Sequence, residues 1–186
     1  MMMKYRGGSC RLNGWDYAAE GKYFVTICIN NRKKSFGKLV DAEVKLSQVG
    51  EIADKFWRDI PNHYNNVWLG AFIMMPDHMH GIVCIKKSIN TFRTLCRRAI
   101  YRASNGGGGF TGKHNPMHSC HSLGKIIRDY KSAVSRWAHQ NGFAEFEWQP
   151  RFYDHVIRDV SDLERISNYI KNNPLLHYLK QKGSYW

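Results

Sequence analysis

His78 and His80 stand one residue apart in the run Ile73-Met74-Met75-Pro76-Asp77-His78-Met79-His80-Gly81-Ile82-Val83-Cys84-Ile85. Side chains alternate along a strand, so an extended backbone here points both imidazoles to one face and Met79 to the other. Two imidazoles fixed on one face make half of a divalent-metal site. Ile, Val, Phe and Met crowd the flanks, which favours a strand over a loop. The chain has 9 histidines, and a half-buried surface would accommodate the same pair, so the reading depends on what surrounds it.

The elements that must position the pair follow from periodicity. Residues 23–29 (Tyr-Phe-Val-Thr-Ile-Cys-Ile) read as a central strand, with two short strands near 35–39 and 44–46. Ser47 is placed to cap a helix whose apolar positions Val49, Ile52, Ala53, Phe56, Trp57 and Ile60 recur at three and four residues, with Pro61 as its stop. A strand over 67–75 then turns at Pro76-Asp77 into the His-Met-His strand, giving a hairpin. Ser122 caps an amphipathic helix that ends near Asn141-Gly142 and carries Tyr130 at the centre of its apolar face. A strand over 146–157 follows. The last helix is predicted from Ser161, with Glu164 completing a capping box, to about Lys171, where Asn172-Asn173-Pro174 ends it.

This order predicts an α+β domain of the ferredoxin-like, split βαβ type, an antiparallel sheet with helices packed on one face. A single domain over 1–186 suits the length. About 87–121 the pattern gives way to basic residues and the tetraglycine Gly106-Gly107-Gly108-Gly109, read as a flexible insertion with a short helix near 92–101.

Lys and Arg outnumber Asp and Glu by 28 to 15, a net +13 with a pI near 9.7. Such an excess points to a polyanion, and the spread of the charges, without a basic amphipathic helix or a lipidation motif, favours nucleic acid over a membrane surface. Five cysteines without CxxC spacing suggest neither a disulfide framework nor a zinc knuckle, hence a reducing cytoplasm. No stretch approaches the ~18 apolar residues of a membrane span, and the N-terminus Met1-Met2-Met3-Lys4-Tyr5-Arg6-Gly7-Gly8 lacks the apolar core of a signal peptide.

Several motifs, taken in order, resemble the tyrosine transposases of the HUH (His-hydrophobic-His) endonuclease superfamily, and within it the REP-associated, IS200-like group. They are the leading strand over 23–29, Met75-Pro76-Asp77-His78-Met79-His80-Gly81, Ile126-Ile127-Arg128-Asp129-Tyr130-Lys131-Ser132-Ala133-Val134, Trp148-Gln149, Phe152-Tyr153-Asp154-His155-Val156-Ile157-Arg158-Asp159 and Tyr169-Ile170-Lys171-Asn172-Asn173-Pro174. The resemblance spans nearly the whole chain. It implies cleavage and joining of single-stranded, hairpin-bearing DNA through a 5′-phosphotyrosine, with Mg²⁺ or Mn²⁺ as cofactor and a monomer as the working unit. A metal would polarise the phosphate and orient it for in-line attack, and a tyrosine, weakly nucleophilic at a pKa near ~10, needs that help.

By the same resemblance His78 and His80 are metal ligands and Tyr130 is the nucleophile, with Tyr153 as its rival. Some relatives use a Gln one helical turn after the tyrosine, where this chain has Val134. The third ligand is then expected to be His155 or Asp154, with Asp77 supporting the pair from behind. DNA contacts are assigned to Lys86, Lys87, Arg93, Arg97, Arg98 and Arg102 on the insertion and to Lys125, Arg128, Lys131 and Arg136 on the helix. Trp148, Phe152 and Tyr101 are candidates for stacking on unpaired bases. The alternatives are a domesticated DNA or RNA hairpin-binding module without chemistry and a nuclease that uses metal-activated water.

The charge excess makes a direct prediction. Affinity for single-stranded DNA, measured by anisotropy across a salt series, should fall by roughly 0.7 in log K per contacted phosphate per decade of salt. A salt-independent affinity would point away from nucleic acid.

Overall fold

The computed structural model describes residues 15–86 and 122–183. The predicted insertion over 87–121, with Lys87, Arg93, Arg97, Arg98, Arg102 and Tyr101, lies outside them. Strand β1 (Gly21–Cys28) is followed by a turn over Asn30–Arg32, a small hairpin of β2 (Gly37–Val40) and β3 (Glu43–Leu46), α1 (Gln48–Arg58) and the single turn α2 (Ile60–His63). Then come β4 (Val67–Met74), β5 (His78–Ile85), α3 (Leu123–Gln140), β6 (Tyr153–Ile157) and α4 (Val160–Gln181).

The main sheet has the order β4-β5-β1-β6, and every neighbouring pair is antiparallel. The unit β1-α1-β4 has β5 between its strands, and the unit β5-α3-β6 has β1 between its own. This interleaving is the split βαβ arrangement of the ferredoxin-like fold. Both strands that carry the pattern, β1 and β5, are therefore internal, which is why they read as near-continuous apolar runs.

Capping by Ser47 and Ser122 follows the sequence reading: each hydroxyl accepts from the amide three residues on, Gly50 and Lys125 respectively. Four local expectations change. Pro61 does not stop a helix but sits in the first turn of α2, where its missing N–H costs nothing. The strand expected over 146–157 is reduced to Tyr153–Ile157, because Arg151 adopts a left-handed backbone (φ 64°) and only Trp148, bridged to Ile29, pairs before it. The last helix is capped by Asp159, whose carboxylate accepts from the Asp162 amide, rather than by Ser161. It also runs through Pro174 to Gln181. A proline inside a helix withdraws one hydrogen bond from the carbonyl four residues earlier, here that of Ile170, and packing has to make up the loss. Ile166, Ile170, Asn173 and Pro174 are the buried positions that hold it.

Alternation sorts the sheet residues between two layers. Val25, Ile27, Met79 and Val83 face α1 and α3 and share the principal core with Trp57, Ile126, Ile127 and Val134. Phe24, Ile82 and Ile157 face the opposite way and form a smaller core with Ile166 and Ile170 of α4. The two crossover helices pack on one face as expected, and α4 adds a layer on the other.

Gly81 ties these layers together. A Cβ built there would lie 2.5 Å from Cζ2 of the fully buried Trp57, so the α1 indole rests directly on the β5 backbone one residue after His80. Gly81→Ala should lower stability by about 2 kcal/mol through overpacking, read as a drop in melting temperature. Adding Trp57→Phe, which shortens the opposing ring, should make the alanine substitution much less costly; equal costs in both backgrounds would contradict the close approach.

Candidate active site

In the β1–β5 register Thr26 lies opposite His80 and Cys28 opposite His78. His78 and His80 therefore share the α4 face, while Met79 between them is fully buried in the principal core. The two Nε2 atoms converge to 3.1 Å. Each Nδ1 is held from behind: that of His78 lies 2.6 Å from Oδ1 of Asp77, and that of His80 lies 2.8 Å from Oγ1 of Thr26. The second Asp77 oxygen meets Arg32 at 3.3 Å.

The turn that starts β5 is fixed by backbone bonds. Met75 N donates to His78 O, Ile29 N to Asp77 O and Phe36 N to Pro76 O, all within 3.0 Å. Arg32 reaches Asp77 from a left-handed conformation, φ 54°, a backbone state that non-glycine residues hold only when their surroundings enforce it.

The electrostatics suit a metal site. Burial, aided by the neighbouring His78, pushes His80 down to about 3, so its ring is neutral at physiological pH. Burial works to raise Asp77, but the hydrogen bond and charge of His78, together with Arg32, hold it below the usual carboxylate range. An ionised Asp77 accepts the Nδ1–H of His78 and leaves its Nε2 facing the site. A hydroxyl both donates and accepts, so Thr26 can serve His80 in either tautomer. Thr26 can accept Nδ1–H from His80, which frees both Nε2 lone pairs for a metal.

A phenol meets the pair from α4. The Tyr169 hydroxyl lies 3.4 Å from Nε2 of His80, and the Tyr169 ring is 44% exposed. One turn further on is Asn173, which is buried, and another turn on is His177. His177 is lowered by burial, and it senses the charges of Asp77 and His78. Residues four apart share a helix face, so this stripe runs along the histidine pair, from His80 at Tyr169 to His78 at His177, with Asn173 between. Among the described residues no three His, Cys, Asp or Glu side chains converge as a metal site. Two imidazoles and a carboxamide oxygen are a donor set that fits Mg²⁺ or Mn²⁺, imidazole favouring the latter.

Tyr130 is in the wrong layer. It is 1% exposed on the α1–α3 side of the sheet, its hydroxyl donates to the Ala53 carbonyl at 3.1 Å, and its ring packs edge-on against Trp57. Burial holds its pKa far above the ordinary phenol value. No strand bound at the histidines can reach it, and Val134, buried beside it, has no bearing on the metal. Asp154, opposite Val25, also points away from the pair. His155 is on the correct face but two strands from β5, roughly 10 Å by strand spacing, and its Nε2 is engaged by Asp162 at 2.8 Å. Tyr153 is on the correct face and exposed.

The helix cations are elsewhere. Lys125, Arg128, Lys131 and Arg136 belong to α3, behind the sheet as seen from the histidines. Lys125 pairs with Asp129, which also binds Tyr64 and Arg128. Lys131 donates to the carbonyls of Gln149 and Arg151, and burial lowers its pKa to about 8. Its charge fastens the segment before β6. Trp148 and Phe152 pack against the principal core. Lys86, at the end of β5, lies over the Trp68 ring at 4.3 Å. Among the described residues, Arg32 binds Asp77, and the charges of Lys34 and Lys180 reach His177.

The chain is 32% identical over 183 residues to an uncharacterized protein of Haemophilus influenzae, covering 95% of each. It is 25% identical over 170 residues to the REP-associated tyrosine transposase of Escherichia coli, covering 91% of this chain and 76% of the relative. Its fold matches a structure of the REP-associated tyrosine transposase bound to a REP hairpin, with a TM-score of 0.51, 21% identity, and coverage of 95% of this chain and 74% of the other. No family model matches the sequence.

The buried neutral imidazole predicts a pH response of the chelator-treated protein. His80 titrates near 6.5 when unfolded and at about 3 when folded, so below pH 6.5 the unfolded chain binds the extra proton. The stabilisation is complete above pH 6.5 and is lost as pH falls toward 3, with a slope of at most about 1.4 kcal/mol per pH unit. Asp77, also lowered, adds to the loss in the acid carboxylate range. Melting temperatures between pH 7 and 5 should fall, and His80→Gln should flatten that fall; an identical slope in the variant would argue against a neutral His80.

Proposed function

The chain belongs to the REP-associated tyrosine transposase family, of the IS200-like type, and we propose that it nicks and rejoins single-stranded DNA beside a palindromic hairpin, with Tyr169 as the nucleophile. The observation that carries this reading is the Tyr169 hydroxyl at 3.4 Å from Nε2 of His80, on an exposed ring. The relative named for REP elements and the fold match to a REP-hairpin complex support the choice of substrate.

His78, His80 and Asn173 would hold the divalent ion. Bound there, Mg²⁺ or Mn²⁺ supplies charge neutralisation at the scissile phosphate. The protein's own part is positional. Asp77 and Thr26 fix the two rings, and α4 holds the Tyr169 oxygen on the same side of the sheet as the phosphate they bind. Attack of that oxygen on phosphorus forms the tyrosyl O–P bond and breaks the bond to the 3′-oxygen, which leaves as the 3′-hydroxyl once protonated. The phenolic proton is lost to solvent as the O–P bond forms, and solvent returns one to the departing 3′-oxygen. The phosphotyrosine retains the energy of the broken bond, so a 3′-hydroxyl can reverse the step and join strands without a nucleotide cofactor. Arg32, Lys34 and Lys180 would neutralise backbone phosphates at the His78 end.

The test uses a labelled hairpin oligonucleotide with single-stranded flanks, Mn²⁺ and a denaturing gel. Tyr169→Phe should abolish the covalent adduct while hairpin binding and melting temperature persist. Tyr130→Phe should keep the adduct and lose about 1 kcal/mol of stability with its buried hydrogen bond. His78→Ala and His80→Ala should bind without cutting, and Asn173→Ala should need more metal. An adduct that survives Tyr169→Phe but not Tyr153→Phe would move the nucleophile to β6. Cleavage without any adduct would make water the nucleophile, and binding without cleavage would leave a recognition module.

A further inference from the structure

Phe24 is the hub of an aromatic cluster that reaches beyond the residues used above. Its ring stacks on His80, centroids 5.4 Å apart and planes 26° apart. It receives Tyr169 at 6.2 Å and Tyr153 at 6.4 Å, both edge-to-face. Phe24 itself is buried, whereas Tyr153 is 42% exposed at the start of the edge strand β6, opposite Thr26. Edge-to-face pairs have a defined geometry, so Phe24 sets the position of the Tyr153 ring relative to His80. Another exposed large aromatic of the sheet, Trp68, has a cation, Lys86, over its ring.

We propose that Tyr153 is a platform on which one unpaired base of the bound strand stacks, and that it sets which nucleotide flanks the cut. The inference rests on the reading of this site as a single-strand DNA nuclease. A phosphate held at His78 and His80 fixes one point of a flexible strand, and one point leaves its direction open. A second point, two strands away at roughly 10 Å, fixes the direction across β1 toward β6. An aromatic ring is suited to that role because each base offers a π-face. The phenol adds a group that can hydrogen-bond to a base edge or backbone.

The test uses the full chain carrying Tyr169→Phe, which leaves the strand uncut, with Mn²⁺ and a hairpin oligonucleotide bearing thymidine tails. A single 2-aminopurine is moved through the tails one position at a time. Fluorescence should be quenched at one or two adjacent positions. Tyr153→Phe, which keeps the ring, should preserve the quenching; Tyr153→Leu, which keeps an apolar side chain on the edge strand but no π-face, should abolish it and weaken binding about tenfold. Unchanged quenching in Tyr153→Leu, at an unchanged melting temperature, would overturn the proposal. Adduct formation by the chain with Tyr169 tests the nuclease reading by itself. An adduct with no Tyr153-dependent quenching sinks the platform and leaves the nuclease; Tyr153-dependent quenching without an adduct leaves the platform and sinks the nuclease.

Discussion

The period-two alternation of β5 is the constraint on which this molecule depends. β5 is paired on both edges, by β4 and β1, and covered on both faces, so each of its residues is committed to one layer. Met79, Gly81 and Val83 have no option but the core beneath α1 and α3. That commitment fixes His78 and His80 on the other side with no freedom to slip, because a shift of one residue would turn both imidazoles onto Trp57 and Met79 toward α4. The convergence of the two Nε2 atoms is thus a by-product of apolar packing on the reverse face. Thr26 and Asp77 refine it.

Alternation was legible in the sequence, and so was everything that follows from it locally: the hairpin, the shared face of the histidines, the Ser47 and Ser122 caps and the antiparallel split βαβ order. Pro174 obscured the rest. A helix stopped at Lys171 leaves Asn173 in a loop and gives Tyr169 no turn after it, and Tyr130, on a longer and clearer amphipathic helix, takes the role by default. The apolar face that made Tyr130 conspicuous is also what packs it into the core, in the layer opposite the histidines. With α4 continuous, the residue one turn past Tyr169 is a carboxamide, Asn173, which we propose as the third ligand that Val134 cannot supply. The signal was present in Tyr169-Ile170-Lys171-Asn172-Asn173-Pro174, but its three-dimensional sense depends on packing strong enough to override a proline, which propensity does not report.

Charge shows the same limit. A net +13 points to a polyanion without locating where it would bind. Part of the excess is spent inside the fold: Lys131 fastens the segment before β6 and Lys125 balances Asp129 beneath Tyr64. A helix rich in Lys and Arg invites assignment to a phosphate backbone, yet α3 owes its place to its apolar face, and its cations go wherever that face turns them. Those that surround the histidines come instead from a short turn after β1 and from the far end of α4, where no periodic pattern marks them.

The two cores differ greatly in size. The α4 layer rests on Phe24, Ile82, Ile157, Ile166 and Ile170, a small fraction of what holds α1 and α3 to the other face. Units with little buried apolar surface open at a lower free energy than the whole molecule unfolds, so α4 is the natural subunit of partial opening, and Pro174 has already weakened its ladder. When α4 lifts, Tyr169, Asn173 and His177 leave as a group, while His78, His80, Asp77 and Thr26 remain in an intact sheet. The phenol and the imidazoles can therefore part and meet again on a timescale set by one helix, which would give the proposed phosphotyrosine mechanism a way to carry a cut end away from the site and return it without melting the fold.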